Sequence, residues 1–265
     1  MAYAVLQTSL TPPEPERLVR AFAALDRLTS LDAHAMARDA FGILVKGLSM
    51  AEALRLVQAL DSQGILAEAV EEKEVPTLPP LKRLNRAEVR PEAFVAYDLV
   101  GRESAIEWSH VVMVAAGEVL RSEFKHLVEE HQRFLVGWPM ALGSGMPIMV
   151  ETVRAEHKDR EERVYRLILE LFLDIAPGRY HISAERFSFE CLGERLSPRR
   201  AENFANFVRD CLARVPGAIL NLGAQTLGRQ KPAMVRYPSR HSFEEELVWL
   251  LWRHLVWPRR RGGGG

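Results

Sequence analysis

Cysteine is nearly missing: Cys191 and Cys211 are the two thiols in 265 residues. Two thiols cannot build a disulfide framework, and without a C-x-x-C pair there is no structural zinc knuckle. No apolar run reaches the roughly 20 residues that a bilayer crossing needs. The opening segment MAYAVLQTSLTPPEPE has no basic start and too short an apolar stretch for a secretory signal, so a reducing, cytoplasmic setting is expected. Net charge is absent as well, 35 Lys/Arg against 35 Asp/Glu, which removes the strongly basic balance of nucleic-acid binders. Gly143-Ser144-Gly145 lacks the Gly-Lys-Ser/Thr continuation of a phosphate loop, and Ser144 has Leu142 and Met146 where a nucleophile elbow needs glycines.

What remains is an ordinary globular composition, 48% hydrophobic and 26% charged, long enough for one large or two smaller domains with a real core. The balanced charge is unevenly spread. Residues 1–87 carry 10 Lys/Arg against 11 Asp/Glu, residues 88–194 carry 12 against 19, and residues 195–265 carry 13 against 5. A basic last third over an acidic middle cancels at long range, or else offers a face to an anionic partner.

The N-terminal part reads as a small module over residues 1–72. Tyr3 to Thr8 has strand character, and Pro12, Pro13 and Pro15 break it before a helix with Leu18, Phe22 and Leu25 at helical spacing. Thr29 with Asp32 and Ser49 with Glu52 are helix-start signatures, Leu54, Val57 and Leu60 form an apolar stripe, and Gly64 stops that helix before the strand Ile65 to Val70. The predicted order is β-α-α-β-α-β. Over residues 29–72, with its Gly-Leu-Ser-x-x-Glu-Ala helix start and closing glycine, this stretch resembles the C-terminal domain of the bacterial ribosomal stalk protein. The resemblance implies a compact α/β layer. It does not carry over that family's basic factor-binding surface, because Asp26, Asp32, His34 and Asp39 stand here beside only Arg27 and Arg38.

Residues 73–91, with Pro76, Pro79, Pro80 and Pro91 and no apolar period, read as a semi-rigid linker. Short strands follow: Phe94–Leu99, Ala105–Trp108, Val111–Ala115, a hairpin of Glu151–Glu156 and Val164–Leu173 about the charged run HKDREER, then Tyr180–Ile182 and Phe187–Cys191. A helix from Ser197 and Pro198, apolar through Phe204, Val208, Cys211 and Leu212, closes the series at 215. Strands closed by one amphipathic helix resemble a pleckstrin-homology-like barrel over residues 92–215. The expected fold is therefore α+β: the small module, a mostly antiparallel barrel, a helical extension at 216–257 and a flexible tail at 258–265.

Candidate chemistry is sparse. His126 and His131 in HLVEEH stand five apart, where zinc helices need four, so Glu129, Glu130 and the imidazoles read as helix decoration, not ligands. His181 alternates with Tyr180 and Ile182 without a nucleophile beside it. Arg195, Arg199, Arg200, Arg209 and Arg214 lie along the helix from Ser197 and its entry, near Asn203 and Asn206, and Arg199 and Arg200 are the candidates for contact with an anion. The strongest feature is residues 243–257, FEEELVWLLWRHLVW, with ten apolar side chains, a capping pair Ser242 and Glu245, and Trp249, Trp252 and Trp257. A helix apolar nearly all round must be covered. The tryptophans are thus candidates for a buried contact with the body of the chain or with a protein partner. The functional expectation is a non-enzymatic adaptor with no cofactor or metal. A second copy of the chain is a further candidate partner. The alternatives are an anionic membrane surface met through the basic last third, and an enzyme of unrecognised class.

Overall fold

The computed structural model describes residues 1–98, 100–137, 148–175, 178–229 and 234–258, with side chains except at 39 and over 122–162. It opens with β1 (Tyr3–Gln7), α1 (Pro15–Phe22), α2 (Ser30–Asp39), β2 (Ile43–Leu48), α3 (Met50–Ser62) and β3 (Ala67–Glu71), the order predicted above. Both helix starts form as reciprocal caps. Thr29 Oγ1 accepts the Asp32 amide at 3.2 Å and Ser49 Oγ the Glu52 amide at 3.3 Å, while each carboxylate accepts the cap residue's own N–H. β1 lies between β2 and β3, antiparallel to both. Because side chains alternate along a strand, Val5 joins the core under α1–α3 while Ala4 and Leu6 face the other way. α3 enters its core through Ala53, Leu56 and Leu60, with Val57 partly buried beside them, while Leu54 is 48% exposed: of the predicted stripe Leu60 is fully buried, and Ala53 and Leu56 add to it where Leu54 does not.

Next come β4 (Leu81–Leu84), β5 (Ala87–Val89), β6 (Ala93–Tyr97), β7 (Glu103–Glu107), β8 (Val111–Gly137), β9 (Ile148–Leu173) and β10 (Gly178–Ser183). The chain ends with α4 (Arg200–Arg214), β11 (Ile219–Leu220), α5 (Leu222–Gly228), β12 (Arg236–Tyr237) and α6 (Arg240–Leu251). β5, β6 and β7 form an antiparallel sheet; a larger one has the order β11-β8-β9-β10-β4, with β12 also on β8. Two units result, one of Met1–Leu120 with Tyr165–Gly265, the other Arg121–Val164 with the intervening lengths of β8 and β9.

The fold is mixed α and β with several antiparallel pairings, but among the described residues the expected barrel over 92–215 does not close. Strands recruited from outside that range explain why. β4 pairs with β10 in parallel, and β11 and β12 pair with β8 in parallel, so the sheet is extended at both ends instead of joining itself. Two further expectations are corrected. Residues 73–91, expected as a semi-rigid linker, carry strands instead, since β4 and β5 both pair, and Pro80, lacking an N–H, still accepts the Arg179 amide through its carbonyl at 2.9 Å. Residues 151–173 are not a hairpin, because β9 runs unbroken through HKDREER. Phe187–Cys191 forms no strand beyond one bridge, Arg86 to Ser188.

α6 explains its own composition. Its core cluster joins Ala4, Leu6, Ile43 and Val70 of the first sheet to Met113, Ala115, Ile168 and Phe172 of the larger one, with Phe243, Leu247, Trp249, Leu250 and Trp252 among them. A helix packed against two sheets needs apolar groups on opposite sides, so no continuous polar face can survive. The opposite face of the larger sheet, including Val114, Ala116, Leu169 and Leu171, packs on α4 and α5 through Phe204, Phe207, Val208 and Leu227. The helix begins one turn earlier than predicted, with Ser239 as the cap accepting the Ser242 amide at 3.0 Å.

Three consecutive glutamates, about 100° apart around the helix, fix the rotation of α6. Glu244 Oε1 accepts from Arg179 at 2.9 Å, Glu245 Oε1 meets Lys46 Nζ at 2.9 Å, and Glu246 accepts the Leu222 amide at 2.7 Å and the Tyr237 hydroxyl at 2.5 Å. Glu246 is buried; burial raises its pKa above the ordinary 4.5, opposed by the Tyr237, Leu222 and Asn221 hydrogen bonds. The folded state therefore holds this proton more tightly than the unfolded one, and the contribution of Glu246 to stability falls as pH rises from about 4.5. Glu246→Gln is expected to do better relative to the parent at pH 7 than at pH 4 in urea titrations. An equal stability difference at the two pH values rules the assignment out.

Candidate functional site

β2 is an edge strand, bonded on one side to β1. A groove of about 510 Å³ follows it, walled by Ala35 and Met36 of α2, by Ala40 just past its end, and by His241, Ser242 and Glu245 at the start of α6. Its floor is Ile43, Leu44, Val45 and Lys46. Four consecutive strand residues point alternately to the two faces, so a groove touching all four faces the edge of the strand. One end carries charge. Glu245 Oε1 is shared by Lys46 Nζ at 2.9 Å and His241 Nε2 at 3.2 Å. Just before the groove, Gly42 turns the chain into β2 at φ +79°, so close to α6 that an added Cβ would stand 2.6 Å from the Trp249 ring.

The tryptophans singled out by sequence lie inside the chain. Trp249 and Trp252 are fully buried; Trp249 Nε1 donates to the Gln7 carbonyl at 2.6 Å, and its ring meets Phe41 edge-on at 4.9 Å. Trp257 is half-buried and donates to Glu68 at 2.9 Å, with Arg253 stacked on its ring at 5.0 Å. Of the candidates Trp249, Trp252 and Trp257, the first two are therefore covered by the body of the chain, one of the two covers expected, while Trp257 keeps a partly exposed ring. Arg199 is exposed and pairs with Glu202 at 2.9 Å, while Arg200 donates to the Ala184 carbonyl at 2.5 Å and the Phe187 carbonyl at 3.3 Å. Arg200 ties α4 to the segment before it, and the two arginines do not converge on an anion site. Asn203 spans the backbone of Ser197, and Arg195 pairs with Asp210.

The thiols are unreactive. Cys211 is buried and pushed well above its usual pKa by desolvation; Cys191 reaches the surface, yet desolvation of its sulfur lifts it to about 11. His181 does find a carboxylate, Glu170 at 3.0 Å, but as part of an ion cluster with Arg179 and Arg240. The side chains of His126, Glu129, Glu130 and His131 lie outside the described residues, as do Gly143 to Gly145 and the tail from 259; the backbone at 126–131 is strand β8, not helix. Among the described residues no three His, Cys, Asp or Glu side chains are arranged to hold a metal ion, and no helix is long and apolar enough to cross a membrane.

Sequence reasoning missed the groove altogether. Its walls come from residues 35–46 and 241–245, and no local pattern announces that two such distant segments flank one strand edge. No family model matches the chain, and neither the curated proteins nor the solved structures contain a significant match.

Proposed function

We propose that this chain is a non-enzymatic protein-interaction module that captures an extended segment of a partner polypeptide as an added strand on β2. The observation that carries the reading is the edge strand lying along the floor of a groove flanked by two helices. An edge strand offers main-chain donors and acceptors, and pockets beside it select alternate side chains; here the offer is confined to residues 43–45, because Arg27 already holds the Lys46 and Gly47 carbonyls and Glu72 the Gly47 amide. Ala35, Met36 and Ala40 favour small apolar groups on the α2 side, and the Lys46, Glu245 and His241 cluster favours a polar residue at one end. The alternative, an anionic membrane met through the basic last third, has less support, because two of the three tryptophans that would anchor it, Trp249 and Trp252, are enclosed by the two sheets.

Selection of displayed seven-residue peptides against the full chain tests this reading. Selected peptides are expected to alternate apolar and polar residues. N-methylation of the peptide backbone is expected to abolish binding at every second amide, the pattern of strand addition. Ala35→Trp, at an exposed position of α2 that walls the groove, is expected to weaken capture by about tenfold or more with an unchanged melting temperature. Peptides that bind Ala35→Trp as well as the parent, or that tolerate N-methylation at all positions, overturn the proposal.

A further inference from the structure

A second cavity, of about 800 Å³, opens on the far side of the larger sheet from α6, between β8, β9, β12 and helices α4 and α5. Its size falls in the range of small-molecule sites. Ala201, Ala205 and Arg209 recur at every fourth residue of α4, so they line one stripe. Two methyl groups leave the room and a guanidinium ends it. Leu167, Leu227 and Met234 add an apolar patch beside the two alanines, in a lining that Glu118, Glu202, Asn206 and Arg236 otherwise make polar.

The charges around this cavity are matched except for one. Glu118 is taken by Arg236 at 2.7 Å, and Glu202 by Arg199 at 2.9 Å and the Ser197 hydroxyl at 2.5 Å. Arg209 is half-buried; its Nη1 donates to Asn206 Oδ1 at 3.1 Å and its Nε to the Leu227 carbonyl at 3.4 Å. Among the described residues no carboxylate stands within ion-pair distance of it. Two neutral acceptors hold the guanidinium at the cavity wall, and among the described residues Nη2 has no hydrogen-bond partner. A cation drawn partly out of water without a counter-ion is unfavourable unless something else supplies the anion.

We propose that this cavity binds a small amphipathic monoanion, a carboxylic acid with an aliphatic body, its carboxylate on Arg209 and its chain over Ala205, Leu167, Leu227 and Met234. One uncompensated positive charge matches one negative charge, and the planar guanidinium suits a carboxylate. A phosphate dianion would need a second free cation, and Arg236 is already engaged by Glu118.

Calorimetric titration of the full chain with decanoate, decan-1-ol and inorganic phosphate separates the contributions of head and tail. Decanoate is expected to bind saturably, decan-1-ol about tenfold more weakly or worse, and phosphate not at all at the same concentrations. Arg209→Gln is expected to reduce decanoate affinity to the level of decan-1-ol while leaving the alcohol unaffected. Arg209 also holds the end of α5, so Ala201→Trp, which fills the cavity from an exposed helix position, serves as the second variant and is expected to abolish both. Phosphate binding as tight as decanoate, decanoate binding indifferent to both substitutions, or no saturable decanoate binding up to millimolar concentration overturns the assignment. Ala35→Trp in the β2 groove leaves decanoate binding unchanged, so this result and the fate of the strand-addition reading are separable.

Discussion

Trp249→Ala is expected to cost about 3–5 kcal/mol of folding free energy, the range for removing a fully buried aromatic side chain. Three losses coincide at this one position. The indole is wholly enclosed, its edge contact with Phe41 at 4.9 Å disappears, and the Gln7 carbonyl loses the N–H that reaches it at 2.6 Å. The cavity cannot refill from the β2 side, because Gly42 offers no side chain there. Trp257→Ala removes a half-buried ring with one hydrogen bond to Glu68, and its expected cost is about 1 kcal/mol, within the usual range for single substitutions. Urea unfolding of both variants, followed by intrinsic fluorescence and circular dichroism, checks the order. A tryptophan serving as a partner anchor would lower binding and leave the monomer's stability alone. A loss below about 1.5 kcal/mol for Trp249→Ala would mean that α6 is not the wedge between the two sheets.

The same helix shows how far sequence reasoning reaches. That residues 243–257 must be covered follows from their composition alone, and the structure supplies the cover from within the chain. What composition cannot say is which surfaces do the covering, because Ala4, Leu6 and Met113 look like any strand residues until the two sheets are placed. The N-terminal module was legible for a local reason: its caps, Thr29 with Asp32 and Ser49 with Glu52, are satisfied within three residues. The long strands were illegible for the opposite reason. HKDREER reads as a turn by its charge, yet Asp159 is its one turn-favouring residue, with no glycine, proline or asparagine beside it, and β9 continues through it. Prolines 76, 79 and 80 marked a real interruption, but the strand after them pairs with residues a hundred positions away. Both proposed sites share this property of distance. The β2 groove joins α2 to α6, and the second cavity joins β8 to α4 and β12, so each depends on tertiary placement that no motif records.

Glu170→Gln is the second substitution with a large expected effect, about 3–5 kcal/mol, because it breaks a buried ion cluster and leaves its partners uncompensated. Glu170 is fully buried on β9, with Oε2 accepting from Arg179 at 2.8 Å and Oε1 accepting from His181 Nδ1 at 3.0 Å and from Arg240. Arg179 and Arg240 are balanced by Glu170 and Glu244, so neutralising Glu170 leaves one positive charge in excess beside a guanidinium that is nine-tenths buried. Burial by itself would raise the pKa of Glu170; the His181 hydrogen bond and the charges of Arg240 and Arg179 outweigh it and hold the carboxyl below its ordinary 4.5. A folded pKa below the unfolded one means the contribution is complete above about 4.5 and is lost as pH falls through the folded value. The parent is therefore expected to lose stability on acidification below pH 4.5, and the Glu170→Gln variant to lose less over the same interval. Adding Arg179→Met should recover part of the cost at pH 7, since Arg240 and Glu244 then balance each other and Met fills the stem's volume. Urea midpoints measured from pH 3 to 7 for the parent, single and double variants decide the matter: a double variant no more stable than the single one would show that the excess positive charge left by Glu170→Gln is not what costs stability.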